Sequence, residues 1–168
     1  MELSKWVPMA AAGLALAGCS GQAAAPAEQK AEKLNPGLYE LSAEVTELSA
    51  TEKQSPSTKL KMGEKLVTRA CVATDGSPAP EMLAEAGDEC TVQSSYVRNG
   101  RISAQLACKR KGTEGQIAQA IDGTFKTDSF EGLVTTNTNM WDAGDYRATR
   151  KVSAYRIGEC PPEAPKTA

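Results

Sequence analysis

Polar and apolar residues alternate along most of this chain, and that period of two is the first guide to its fold. From residue 38, Tyr39, Leu41, Ala43 and Val45 are apolar while Glu40, Ser42, Glu44 and Thr46 lie between them. This predicts a half-buried strand opened by Asn35-Pro36-Gly37. Residues 60–72 behave alike, with Leu60, Met62, Leu66, Ala70 and Val72 on one parity. Asp75-Gly76-Ser77-Pro78 reads as a turn, and residues 80–86 as one or two helical turns begun by Pro80 and stopped by Gly87. Ile117, Ile121 and Phe125 recur every fourth residue, which suits a strand or a helix; Gly115 and Gly123 favour the strand. Lys126-Thr127-Asp128-Ser129 is a turn, residues 130–140 a strand, Trp141-Asp142-Ala143-Gly144 a turn, and residues 146–157 the closing strand. The expected fold is mainly β: an antiparallel meander of about six or seven strands with one short helix, able to curl into a partial barrel.

Residues 89–109 form the most sharply defined piece, a hairpin. Asn99-Gly100 invites a two-residue turn, but that turn would set apolar positions opposite polar ones. A three-residue loop of Arg98, Asn99 and Gly100 instead pairs Tyr96 with Ile102, Ser94 with Ala104 and Val92 with Leu106. The same register sets Cys90 opposite Cys108. A Cys90–Cys108 bridge is therefore expected among the three connectivities that four cysteines allow, with Cys71–Cys160 following by elimination. The second bridge would tie an early strand to the end of the last one.

Composition narrows the chemistry. The chain holds no histidine, which removes the usual general base of serine and cysteine hydrolases and the commonest transition-metal ligand. The cysteines lie far apart and not in CxxC pairs, so neither zinc nor thioredoxin-like chemistry is indicated. A net charge of −2 without long charge runs gives no sign of a nucleic-acid partner. Carboxylates remain: Glu81 and Glu85 one helical turn apart, and Asp142 and Asp145 flanking Gly144. Acids on an exposed helix and in a turn are ordinarily just solvated. A carboxylate-based glycan hydrolase is thus the least favoured reading, and calcium at Asp142 and Asp145 lacks ligands. No catalytic residue, metal ligand or cofactor is expected. Lys109-Arg110-Lys111, Arg147, Arg150, Lys151 and Arg156 give the second half a basic bias. It reads first as solvated strand faces and second as a patch for anionic headgroups.

The N-terminus has the parts of a secretory signal: Lys5, an uncharged run over residues 7–17, then small residues. At roughly eleven residues that run is too short to span a bilayer, which takes about 20. Leu16-Ala17-Gly18-Cys19 resembles the lipobox of bacterial lipoproteins. The resemblance implies cleavage before Cys19, lipidation of its thiol and anchoring to a membrane, on the periplasmic side of the envelope. Ser20, not Asp, at the next position implies sorting to the outer membrane. Assigning Cys19 to lipid leaves an even set of four from the five cysteines. The expected organisation is a signal at 1–18, a lipidated cysteine and flexible tether at 19–35, a disulfide-bonded β domain at 36–161, and a disordered tail at 162–168.

Within the domain, Pro36-Gly37-Leu38-Tyr39-Glu40, the end of the second strand at Cys71, the Cys90/Cys108 hairpin and Arg156-Ile157-Gly158-Glu159-Cys160 resemble an uncharacterised proteobacterial family. It is catalogued as domain of unknown function 3617. The resemblance implies a small secreted or lipid-anchored protein and carries no catalytic residues across. The leading expectation is a non-enzymatic binding or structural module that meets an envelope protein or polymer through its sheet face or edge. The alternative is a carrier of a small apolar ligand or lipid, with Tyr39, Leu41, Tyr96 and Leu106 lining a cavity.

Overall fold

The computed structural model describes residues 33–141 and 143–162. The expected signal, Cys19, most of the expected tether, Asp142 and the expected tail from residue 163 lie outside the described residues. Strands β1 (Gly37–Ala50) and β2 (Lys65–Val72) precede a one-turn helix α1 (Pro80–Leu83). Then come β3 (Asp88–Arg98), β4 (Arg101–Arg110), β5 (Gly115–Lys126), β6 (Ser129–Met140) and β7 (Tyr146–Gly158). All seven form one antiparallel sheet, ordered β2-β1-β7-β6-β5-β4-β3 and curved into a half-barrel.

Alternation decides which residues face the concave side. Tyr39, Leu41, Ala43 and Val45 point there from β1, and Ile102 and Leu106 from β4. Ile117, Ile121 and Phe125 of β5 meet Phe130 and Val134 of β6 and Val152 and Ala154 of β7, all of them buried. The fourfold recurrence of Ile117, Ile121 and Phe125 is thus every second inward position of a strand. Residues β3 to β7 form the expected meander, but β1 is not at its edge: it lies between β2 and β7 and pairs with both. A hydrogen-bonded ladder along both strands, from Leu38 with Gly158 to Ala50 with Tyr146, joins the start of the domain to its end. Leu34 is already buried, and the Tyr39 hydroxyl donates to the Asn35 carbonyl at 2.8 Å, fixing the chain's entry.

Two local expectations change. The second strand starts at Lys65, not at residue 60, because Gly63 and the bond from Glu64 N–H to the Lys61 carbonyl (3.0 Å) make a turn there. Leu60 is buried while Met62 is 59% exposed, so their shared parity was coincidental. The hairpin also departs from the three-residue loop. Asn99 and Gly100 have φ of 52° and 72°, a two-residue turn with both central residues left-handed, and Arg98 pairs with Arg101. A bulge between Val92 and Ser94 then absorbs one residue and restores the other register, so Val92 meets Leu106 and Cys90 meets Cys108. Turn chemistry sets the register at one end and core packing at the other; the bulge reconciles them. Tyr96 consequently faces Ser103 and lies half exposed.

Both expected bridges are present, Cys90–Cys108 across the β3–β4 pair and Cys71–Cys160 between the end of β2 and the residues after β7. The second spans 89 residues of sequence. In the chain-entropy picture, closing a loop of that length stabilises the fold by about 4–5 kcal/mol.

Candidate functional site

Two groups of polar side chains sit on the concave side, where apolar residues predominate. The first closes one end of the half-barrel and centres on Arg110, the last residue of β4. Its Nε donates to Asp88 Oδ1 at 2.6 Å and its Nη2 to Asp88 Oδ2 at 3.0 Å, a two-pronged pairing across the β3–β4 ladder. Nη2 also lies 3.2 Å from Glu85 Oε2 and donates to the Tyr146 hydroxyl at 3.1 Å. Tyr146 in turn donates to Glu85 Oε2 at 2.7 Å, and the Thr58 hydroxyl donates to Glu85 Oε1. Arg110 Nη1 reaches the Ser57 carbonyl, which ties the 51–64 crossover to the cluster. That crossover packs tightly: a side chain on Gly144 would put its Cβ 1.9 Å from the Ser55 carbonyl oxygen. The electrostatics follow. The bond to Asp88 holds the Arg110 guanidinium protonated more firmly than usual. Burial, followed by the bond to Glu85, pushes the Tyr146 hydroxyl up to about 12.

The second group is a row across three adjacent strands. Gln119 of β5 stands directly opposite Thr136 of β6, and Arg150 of β7 lies one inward position further along. All three are buried. Arg150 Nη2 donates to the Leu83 carbonyl and Nη1 to the Ala84 carbonyl at 3.4 Å, so it holds the C-terminal end of α1 over the sheet. Among the described residues, both polar atoms of Gln119, the Thr136 hydroxyl and Arg150 Nε have no hydrogen-bond partner. Burial lowers the proton affinity of Arg150, which has Glu85 nearby but no carboxylate in direct contact. These positions carry a sequence signal: Gln119 sits between Ile117 and Ile121, and Arg150 between Ala148 and Val152, polar residues on a core parity.

The sheet ends in two edge strands, β2 and β3. Beside β2, the chain turns back so that Ala73 N–H bonds the Ser77 carbonyl, Ala79 N–H bonds the Cys71 carbonyl, and Val72 bridges Pro78. The Arg69–Glu40 ion pair joins β2 to β1, and the Cys71–Cys160 bridge ties the end of β2 to the residues after β7. Among the described residues, none of β3 beyond Asp88 makes a backbone hydrogen bond outside its pairing with β4. From Cys90 to Val97 that strand carries no charge and no proline, and Val92 and Tyr96 are 45% and 49% exposed.

The residues singled out by sequence disperse. Glu81 is exposed while Glu85 is buried against Arg110, so the two do not pair over a cleft. Asp145 accepts from Met140 N–H at 2.7 Å and the Thr138 hydroxyl at 2.9 Å, pinning the β6–β7 turn. Among the described residues, no group of three acidic or cysteine side chains could hold a metal ion. Tyr39, Leu41 and Leu106 are packed in the core and Tyr96 is outside it, so the four do not line one cavity. The basic residues are equally scattered: Arg110 and Arg150 point inward, and Arg156 bonds the Pro36 carbonyl at 2.9 Å and pairs with Glu159. Only the scatter of exposed Lys109, Lys111, Arg147 and Lys151 is left of the patch. Among the described residues, no helix is long and apolar enough to cross a membrane.

Residues 34–160 match the model of a family described as a protein of unknown function, DUF3617. The chain belongs to that family. Neither the curated proteins nor the solved structures yield a match to it.

Proposed function

Starting from membership in this uncharacterised family, we propose that the chain is a lipid-anchored module of the bacterial envelope. It performs no chemistry of its own and docks an extended segment of a partner along the free edge of β3. The exposed, uncharged and unpaired stretch from Cys90 to Val97 is the observation that carries this reading. A strand edge offers a row of backbone donors and acceptors, and natural sheets commonly blunt such edges with charge or cover. The β2 edge carries Lys65 and Arg69 and is bridged at its end by residues 78 and 79, whereas the β3 edge from Cys90 to Val97 has neither charge nor bridge among the described residues. The acids at the end of the half-barrel favour a structural role over a catalytic one, since Arg110 engages both Glu85 and Asp88. Anchoring is read from Leu16-Ala17-Gly18-Cys19 and would place the domain at the periplasmic face, on the outer membrane by virtue of Ser20.

The test is recovery of associated material from envelopes, using the lipidated protein, a Cys19→Ala chain, and a chain with Thr91→Lys and Tyr96→Lys. The Cys19→Ala chain is expected to lose lipid label and leave the membrane fraction. The two edge lysines are expected to abolish the bound material while leaving anchoring and thermal stability intact. Equal recovery with and without the edge lysines would remove strand addition as the mode of binding.

A further inference from the structure

We infer that the segment received by the β3 edge is β3 of a second copy of this chain, paired antiparallel about a two-fold axis so that two half-barrels share one continuous sheet. The inference rests on the strand-addition reading and names the partner. Its basis is the order of charge along β3 and the position of the bulge.

Acidic Asp88 and Glu89 open the strand, eight uncharged residues follow, and Arg98 ends it. Asp88 is engaged by Arg110, whereas Glu89 makes no ion pair among the described residues. At the other end Arg98 stands directly opposite Arg101 across the turn, two like charges that repel, and neither has a carboxylate partner among the described residues. Antiparallel self-pairing brings Glu89 of each copy against Arg98 of the other, beside Arg101. Both ends of the contact then gain an opposite charge, twice over by symmetry. A parallel arrangement would stack like on like.

The same register sets Cys90 against Val97, Thr91 against Tyr96 and Val92 against Ser95. In a regular strand, odd and even positions face opposite sides, so these pairs would clash in direction. The bulge at Gln93 removes the conflict. Before it, Glu89 and Thr91 pair with Lys109 and Ala107; after it, Tyr96 and Arg98 pair with Ser103 and Arg101. All four β4 partners are odd-numbered and lie opposite in direction to buried Ile102, Ala104, Leu106 and Cys108. Glu89, Thr91, Tyr96 and Arg98 therefore share the convex side, and the bulge falls at the centre of the paired segment. Half-exposed Tyr96 gains cover from Thr91 of the other copy.

One strand pair buries less than the roughly 1,200–2,000 Å² of a stable interface, so the contact is weak in free solution. Two copies on one membrane are concentrated enough to form it.

The experiment uses the mature lipidated protein in vesicles of phosphatidylethanolamine and phosphatidylglycerol. Thr91→Cys chains are mixed with Tyr96→Cys chains and mildly oxidised with diamide. The register predicts a disulfide-linked dimer in the mixture and little in either population alone, because Thr91 and its own copy lie far apart. Reversing charge by Glu89→Arg or Arg98→Glu in these chains is expected to cut the yield several-fold, and combining both reversals to restore it. Absence of linked dimer in the mixture, or equal yield from each chain alone, would overturn self-pairing. If the edge lysines abolish recovery of some other envelope protein while no linked dimer forms, strand addition stands and self-pairing falls. If neither effect appears, both fall.

Discussion

The half-barrel buries two polar groups a short distance apart and treats them in opposite ways. Around Arg110, each charge faces its complement: two carboxylates, a phenol, a threonine hydroxyl and a backbone carbonyl converge, and each carboxylate meets the guanidinium. Along Gln119, Thr136 and Arg150, four buried polar atoms have no partner among the described residues. A buried hydrogen bond contributes about 0.5–1.5 kcal/mol net, whereas an unpaired buried group costs about 1–3 kcal/mol. The first group therefore holds the end of the barrel together, linking the 51–64 crossover, the segment after α1 and the β3–β4 and β6–β7 ends. The second is a place where the core is less stable than an apolar one would be. Only Arg150 has an evident structural task there, as the clasp on α1.

Substitutions can invert or erase this contrast. Arg110→Ala is expected to destabilise most, by about 3–5 kcal/mol in chemical denaturation, since it leaves Glu85 and Asp88 buried without a cation. Replacement of Arg110 with no change in midpoint would mean that the cluster is solvated in solution. Tyr146→Phe keeps the ring and removes the hydroxyl between Glu85 and Arg110. A loss of about 1.5–3 kcal/mol is expected for bonds to charged groups. Gln119→Leu should act in the other direction and raise stability by about 1–3 kcal/mol, because it removes two unpaired atoms at similar volume. A destabilised Gln119→Leu protein would show that the amide has partners after all.

The smallest effect concerns alkaline pH. Tyr39, chiefly through burial and then through Asp128, and Tyr146 both have hydroxyls raised from 10.0 to about 12. A raised folded value means the unfolded chain loses these protons first. The stabilisation is thus complete below pH 10 and declines as pH rises towards about 12. Melting temperature should fall between about pH 10 and about pH 12, and less so in Tyr146→Phe. An unchanged difference between the two proteins across that range would remove Tyr146 from the account.

Much of this architecture was legible beforehand. Alternation placed β1, the flanking turns bounded β6 and β7 to within a few residues, Gly115 and Gly123 favoured a strand at β5, and the facing of Val92 with Leu106 located Cys90 against Cys108. The β3–β4 turn was misjudged because two local signals conflicted, Asn99-Gly100 against the hydrophobic register, and a bulge satisfied both. The basic residues misled for a different reason. A sequence shows that Arg110 and Arg150 are charged, but their inward direction depends on Asp88, Glu85 and the end of α1 being brought to them. The β3 edge left no mark in sequence beyond a run without charge, because an edge is defined by which strand is missing beside it.

The chain's own pattern determined the strand class, the inward residues and, through its cysteines, the two covalent ties. These are local or pairwise properties: a period of two sets each side chain's direction whatever the neighbouring strand is. Tertiary structure alone decided that β1 enters between β2 and β7, that the sheet stops short of closing, and that β2 and β3 are its two edges. Those outcomes depend on long-range pairing, where many strands of similar composition compete and only the packing of the whole core selects among them.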